Sequence, residues 1–177
     1  MLGRIENEKR NNLIIVCLVV IIIAGSGILY KNYFTNIDSN NYLSSKNESE
    51  KSFFYYSSSG DSDKNAESFD FKRFNGKWSL MEFTSSKGNK INIKDNTKIA
   101  KGKLFIVVLD SECNIITKKD ETKQKGDINF TTPKDGKYFI RIVGAKASGK
   151  FDISVNATKN IDISHIDFLV NLTCCII

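Results

Sequence analysis

The sequence predicts an all-β protein: a two-sheet antiparallel β-sandwich, jelly-roll-like and built from about eight strands, preceded by one N-terminal transmembrane helix. Three observations support this prediction. Short runs of alternating apolar and polar residues recur after residue 66, and glycine-containing turn signals fall between them. A single uncharged apolar run near the start of the chain is long enough to span a bilayer.

The apolar run covers residues 13–30, which read LIIVCLVVIIIAGSGILY without a charge. At about 1.5 Å per helical residue it spans roughly 27 Å, close to the thickness of a hydrocarbon core. Arg4, Lys9 and Arg10 precede it, so the positive-inside rule makes residues 1–12 a cytoplasmic leader. We therefore expect a single-pass cell-membrane protein whose remaining chain is extracytoplasmic.

A cleaved signal peptide is the alternative to this signal anchor. The small residues at positions 24–27 suit a cleavage site, and the apolar run before them has the length of a signal core. Ile28, Leu29 and Tyr30 extend the run beyond the small residues, which favours a retained anchor. Secretion of the protein after signal-peptide cleavage remains the alternative to a membrane anchor.

Residues 31–65 are rich in Ser, Asn and charged residues and show no sustained periodicity. Such a segment is expected to be a flexible linker. Four consecutive aromatic residues, Phe53 to Tyr56, are the exception, because exposing all four side chains to water is unfavourable. They either dock on the folded domain as a short strand, which we favour, or lie at the membrane surface.

Residues 66–159 are expected to form the extracytoplasmic β-sandwich, because their apolar residues alternate with the period of half-buried strands. The run Leu104–Leu109 is apolar throughout, which indicates a central strand with both faces covered. The predicted strands are Phe69–Phe74, Lys77–Thr84, Lys90–Lys94, Lys103–Leu109, Asn114–Lys118, Asp127–Thr131, Lys137–Val143 and Lys150–Val155.

Turn signals separate these predicted strands, because glycine adopts a positive φ at little cost. Trp78 is expected in the core. The turn signals are Asn75–Gly76, Lys87–Gly88, Lys101–Gly102, Pro133–Gly136 and Ser148–Gly149.

Three segments carry a family resemblance: Lys101–Leu104 with a following Val-Val-Leu-Asp, Phe130–Tyr138 with a following alternating strand, and Ala147–Phe151. They resemble pre-peptidase C-terminal-like domains, and also small sandwich modules of Gram-positive membrane-anchored surface proteins and lipoproteins. The resemblance covers about residues 69–156. It implies an accessory β-sandwich that has no catalytic residues of its own and sometimes binds calcium or matrix polymers.

The predicted sandwich is the basic part of the chain. Residues 66–159 hold 19 Lys and Arg against 11 Asp and Glu, a net charge of +8, whereas the whole 177-residue chain carries +6. A basic module outside the cell attracts an anionic envelope polymer such as teichoic acid. The alternative is that the lysines keep the surface solvated and resistant to aggregation. Nucleic acid is not an expected partner, because no recognition motif is present.

No catalytic, cofactor-binding or metal-binding residue is predicted, and the protein is expected not to be an enzyme. Ser-x-x-Lys and Gly-x-Ser-x-Gly are absent, and His165 has no partner at zinc-ligand spacing. Asp61 and Asp63 begin like a calcium loop, but Ala66 and Lys72 stand where the glycine and the closing Glu are needed. This excludes an EF-hand and leaves a weaker calcium site open.

Residues 160–177 form a C-terminal extension beyond the resemblance. Alternation over Ile166–Leu172 predicts an added strand. Cys113 shares the outer compartment with Cys174 and Cys175, so a disulfide from Cys113 to either one is geometrically possible.

Together these observations predict a non-catalytic binding or accessory module at the cell envelope, with a polymer or a partner protein as ligand. The alternatives are a structural or accessory subunit of a membrane complex, or a secreted protein. The Asn-, Lys- and Ile-rich composition indicates an AT-rich genome, and with the resemblance it suggests a Gram-positive bacterium.

Overall fold

The computed structural model describes Ile15 and residues 36–48, 51–58 and 63–168. The chain divides into two compact units, Met1–Ile37 and Asp38–Ile177. The leader, the predicted span apart from Ile15, and the tail from residue 169 onward lie outside the described residues. Among the residues that are described, no helix is long and apolar enough to cross a membrane.

The second unit is all-β and helix-poor, as predicted. Within the described residues it contains one short helix, α1 (Asn40–Ser44), which the Ser39 side chain caps by accepting a hydrogen bond from Tyr42 N. The strands are β1 (Tyr55–Ser58), β2 (Ala66–Ser85), β3 (Lys90–Asp95), β4 (Lys98–Asp110), β5 (Ile115–Asp120), β6 (Ile128–Thr131), β7 (Gly136–Ala157) and β8 (Asp162–His165).

The strands form one continuous antiparallel sheet, which corrects the prediction of two separate sheets. The main order is β1-β2-β7-β3-β6, with β4 between β7 and β5, and β8 alongside β2. The long strands β2 and β7 pair along almost their whole length, from Ala66 opposite Ser154 to Ser85 opposite Gly136. Side chains of β2, β3, β4, β6, β7 and β8 share one buried core, so the sheet encloses it in a β-sandwich-like manner.

Three of the predicted turn signals are not turns. As a result, β2 and β7 are each one long strand where the sequence predicted two shorter ones. Asn75–Gly76, Lys101–Gly102 and Ser148–Gly149 lie inside β2, β4 and β7, near shifts in the strand register. A β-bulge inserts a residue and bends a strand without ending its pairing. Lys87–Gly88 and Pro133–Gly136 do connect strands, as predicted.

The predicted central strand is confirmed. Every residue of Leu104–Leu109 is at most 5% exposed, and β4 pairs with β7 on one side and β5 on the other. Trp78 also lies in the core, where it is 4% exposed and donates a hydrogen bond from Nε1 to the Ile166 carbonyl at 3.0 Å. Alternation and apolar content thus predicted the interior of the domain correctly.

Part of the segment expected to be a linker belongs to the second unit. Strand β1 pairs with β2, and the ring of Phe53 stacks on that of Phe74 with centroids 4.6 Å apart. The docking alternative for the four aromatic residues is therefore confirmed. At the other end of the domain, β8 is the added strand of the C-terminal extension, although it precedes the alternating run from which a strand was predicted.

A buried ion pair joins the segment around α1 to the sheet. Arg141 on β7 is fully buried, and its Nη2 lies 2.9 Å from Glu48 Oε1. Its Nη1 donates to the carbonyls of Leu43 and Ser45 at 2.9 and 3.0 Å. Glu48 also accepts hydrogen bonds from the backbone N and the hydroxyl of Ser79. This network satisfies both buried charges, which is the condition for tolerating them.

Candidate anion-binding groove

A surface groove lies at the corner where the bulges of β2, β4 and β7 meet. It has a volume of about 360 Å³. Its lining residues come from the loop before β1 and from the three bent strands: Phe54, Lys72, Arg73, Ala100, Lys101 and Ser148. We call this feature the corner groove.

Two glycines allow the strands to approach closely enough to form the corner. A Cβ atom on Gly102 would lie 2.3 Å from the Lys146 carbonyl oxygen, and one on Gly149 would lie 2.1 Å from the Lys98 carbonyl oxygen. Gly102 also has a φ of 77°, which side-chain-bearing residues rarely adopt. The close contact of β4 with β7 at this point therefore requires glycine.

Two basic residues at the corner adopt left-handed backbone conformations. Arg73 has a φ of 53° and Lys146 a φ of 50°. Local hydrogen bonds hold them there: Arg73 N donates to Ser148 Oγ at 3.1 Å, and Lys146 N donates to Asn75 Oδ1 at 2.9 Å. Asn75 Nδ2 in turn donates to the Arg73 carbonyl at 3.2 Å. Backbone strain of this kind costs on the order of 1 kcal/mol per residue and is concentrated at functional sites.

The corner groove is positively charged and partly apolar. Lys72, Arg73 and Lys101 are exposed, and the lining residues include no carboxylate. Phe54 is 76% exposed, more than Tyr55 and Tyr56 beside it, which are 48% and 41% exposed. Concave surfaces lined by one sign of charge concentrate counter-ions, so the groove can hold an anion that also has an apolar part.

Basic residues continue beyond the groove along the same strands. Lys98 on β4 is the register partner of Lys150 on the adjacent strand β7. Two acidic residues lie beside them: Asp70 lies opposite Lys150 in the register, and Asp152 Oδ2 lies 3.7 Å from Lys150 Nζ. The sequence predicted a basic domain with dispersed lysines, and the bends of the strands bring several of them to one corner.

The residues that suggested a calcium site and a disulfide lie only partly within the described part of the chain. Asp61 lies outside the described residues and Asp63 is exposed. No group of three or more acidic, His or Cys side chains able to hold a metal ion occurs in the described part of the chain. Cys113 is buried, while Cys174 and Cys175 are outside the described residues, so their pairing stays a prediction.

A second buried charge cluster lies at the ends of β3 and β5. Lys119 Nζ lies 2.5 Å from Asp95 Oδ2 and 3.2 Å from Glu121 Oε1. Burial, together with the neighbouring Asp95, raises the pKa of Glu121 to about 8. Burial opposes ionisation of Asp95 as well, but hydrogen bonds from Glu121 and Lys119 hold its pKa below the usual range. At neutral pH the two carboxyl groups therefore share a proton.

Sequence reasoning missed both buried charge clusters. For Arg141 a signal was present, because Phe139 and Val143 share its face of β7 and are apolar. An arginine between two apolar residues on one strand face indicates a buried, paired cation. For Glu121 and Asp95 the sequence offers no comparable signal, since their contact depends on how β3 and β5 meet.

No protein-family model matches this chain, and none of the curated proteins matches it either. Among solved structures, a chain in the crystal structure of accessory secretory protein 1, 2 and 3 in Streptococcus pneumoniae is similar at 13% identity and a TM-score of 0.34. The match covers 68% of this chain and 92% of that chain. This similarity is too low to assign a fold or a function.

Proposed function

We propose that this protein is a non-catalytic, membrane-anchored β-sandwich displayed outside a Gram-positive cell, and that its corner groove binds an anionic polymer of the cell envelope. The observation that carries the binding role is the groove itself: three exposed cations surround a concave surface that contains an exposed phenylalanine and no carboxylate. The resemblance to pre-peptidase C-terminal-like modules supports an accessory role. The apolar run at 13–30 supports the membrane anchor.

The chemistry of the groove favours a phosphate-bearing polymer with an organic backbone. The guanidinium of Arg73 offers a planar pair of donors that matches two phosphate oxygens, and Lys72 and Lys101 add point charges. Phe54 and Ala100 offer apolar contact to the carbon skeleton between phosphates. Wall teichoic acid has this combination of anionic phosphates and polyol or sugar units.

A binding experiment with matched charge variants tests this function. Purified wall fragments carrying teichoic acid are sedimented with the full chain in detergent micelles, at low and at high salt. Replacing Lys72, Arg73 and Lys101 by Gln is expected to abolish most of the retention at low salt. The control replaces three exposed lysines elsewhere, Lys87, Lys94 and Lys125, so that both variants lose the same net charge.

Two outcomes would contradict the proposal. Equal losses in the two variants would mean that net charge alone causes retention, without a specific groove. Retention that does not fall as salt rises would exclude an electrostatic contact at the surface. If retention is normal but cellular function is lost when residues 1–30 are exchanged for an unrelated anchor, the alternative role as a subunit of a membrane complex is favoured.

A further inference from the structure

A second cavity lies under the C-terminal extension. It has a volume of about 250 Å³, below the roughly 300 to 1,000 Å³ of pockets for drug-sized ligands, and so suits a single ring-sized group. Tyr56, Trp78 and Phe168 contribute aromatic rings, while Glu67, His165 and Asp167 contribute polar groups. We call it the aromatic cavity.

The aromatic rings form an angled wall. The rings of Trp78 and Phe168 are nearly perpendicular with centroids 5.4 Å apart, and those of Tyr56 and Trp78 are 6.1 Å apart at 74°. Trp78 is almost completely buried, but Tyr56 is 41% exposed and its ring can be reached from solvent. Such a wall offers an apolar surface to the face of a ring-shaped ligand.

Hydrogen bonding determines the charge of the polar side of the cavity. His165 Nε2 lies 3.2 Å from the Lys64 carbonyl oxygen, which can only accept, so Nε2 carries a proton. Nδ1 lies 2.5 Å from Glu67 Oε2, and this contact requires one proton between the two atoms. Whichever atom holds that proton, the Glu67–His165 pair has no net charge and remains strongly polar.

The Glu67–His165 pair offers an ionic ligand no net charge, although the exposed Asp167 adds a carboxyl group to the lining. The ammonium group of Lys51 lies 5.4 Å from the centroid of the Phe168 ring, at the edge of the cavity wall. The cavity thus combines an apolar wall with oriented hydrogen-bonding groups, Asp167 at its edge, and no net charge from its buried pair. A sugar matches this combination, because it has an apolar C–H face and hydroxyl groups that donate to carboxyl oxygens.

We infer that the aromatic cavity binds a neutral sugar unit of a glycan. This site is separate from the corner groove, so the inference stands or fails independently of the proposed function. The carboxyl oxygens of Glu67, which is 6% exposed, and of Asp167 accept from the sugar hydroxyls, His165 holds Glu67 in place, and Tyr56 covers the ring face.

The chain contains an internal probe for this site. Trp78 is its only tryptophan and lies in the wall of the cavity, so a change in intrinsic fluorescence reports occupation directly. The full chain in detergent micelles is titrated with neutral oligosaccharides of glucose, galactose and N-acetylglucosamine up to about 10 mM, where even a millimolar site approaches saturation. A saturable change is expected with at least one of them.

Two variants separate binding in the cavity from other effects. Tyr56→Ala removes the exposed ring and is expected to weaken binding by about tenfold or more. Tyr55→Ala changes the adjacent residue of β1, which points to the other side of the strand and is 48% exposed, and is expected to bind as wild type does. Unfolding curves of both variants confirm that each is folded.

Three results would overturn the inference. The first is the absence of a saturable fluorescence change with every oligosaccharide tested. The second is an equal response in the Tyr56→Ala and wild-type proteins. The third is saturable binding of tetramethylammonium chloride in place of the sugars, which would identify the cavity as a site for organic cations.

Discussion

Replacing Arg141 by Met tests whether the segment around α1 is part of the folded domain. The change removes the 2.9 Å ion pair to Glu48 and the donors to two backbone carbonyls of that segment. Glu48, 2% exposed, then keeps its hydrogen bonds from Ser79 and an electrostatic interaction with Lys51, but loses its ion pair with Arg141. Met fills much of the volume of Arg, so the main loss is electrostatic.

Removing one partner of a buried ion pair costs about 3–5 kcal/mol, because the remaining charge is buried without compensation. For a chain of this size, that corresponds to a fall in Tm of roughly 10 °C. We expect the double variant with Met at both positions 48 and 141 to recover much of the lost stability, since no uncompensated charge remains. Urea unfolding of the full chain, followed by the fluorescence of the buried Trp78, measures each value.

A deletion supplies the second arm of this experiment. A chain that begins at residue 66 lacks Glu48, β1 and Phe53, and is expected to be less stable than the Arg141→Met variant. If residues 31–65 acted only as a flexible linker, the deletion would leave the free energy of unfolding unchanged. That result, together with a cost below about 1 kcal/mol for Arg141→Met, would refute the argument.

The other predictions concern the corner, the buried carboxyl groups and the membrane. Gly102→Ala is expected to destabilise the domain by about 1–3 kcal/mol or more, because its Cβ meets the Lys146 carbonyl, whereas Gly88→Ala has open space around it and costs less; equal losses in urea unfolding would contradict this. The folded state holds a proton on Glu121 up to about pH 8, so this group's contribution to stability is complete below the ordinary pKa of 4.5 and is lost as pH rises through 8. Glu121→Gln should therefore flatten the stability profile between pH 5 and 8, and an unaltered profile would be inconsistent with a shared proton. Protease added to intact cells is expected to digest the chain beyond residue 31; protection that ends only when the cells are broken would contradict an extracytoplasmic domain.

The sequence by itself determined the all-β class, the central strand Leu104–Leu109, the burial of Trp78 and the excess of basic residues. Each of these follows from local features: alternation with period two, an uninterrupted apolar run, or simple composition. Such features report whether a side chain faces the core or solvent. They do not report which strand lies alongside which.

Only the tertiary structure decided where strands end and which charges meet. Asn75–Gly76 and Ser148–Gly149 have turn composition, yet neither ends a strand. Instead, β2 pairs with β7 both before and after these positions, and the register shifts are absorbed as bulges. The ion pair of Arg141 with Glu48, and the gathering of basic side chains at the corner groove, depend on contacts between residues far apart in the chain. Contacts of that kind arise from the bending of long strands around a common core, which no local pattern encodes.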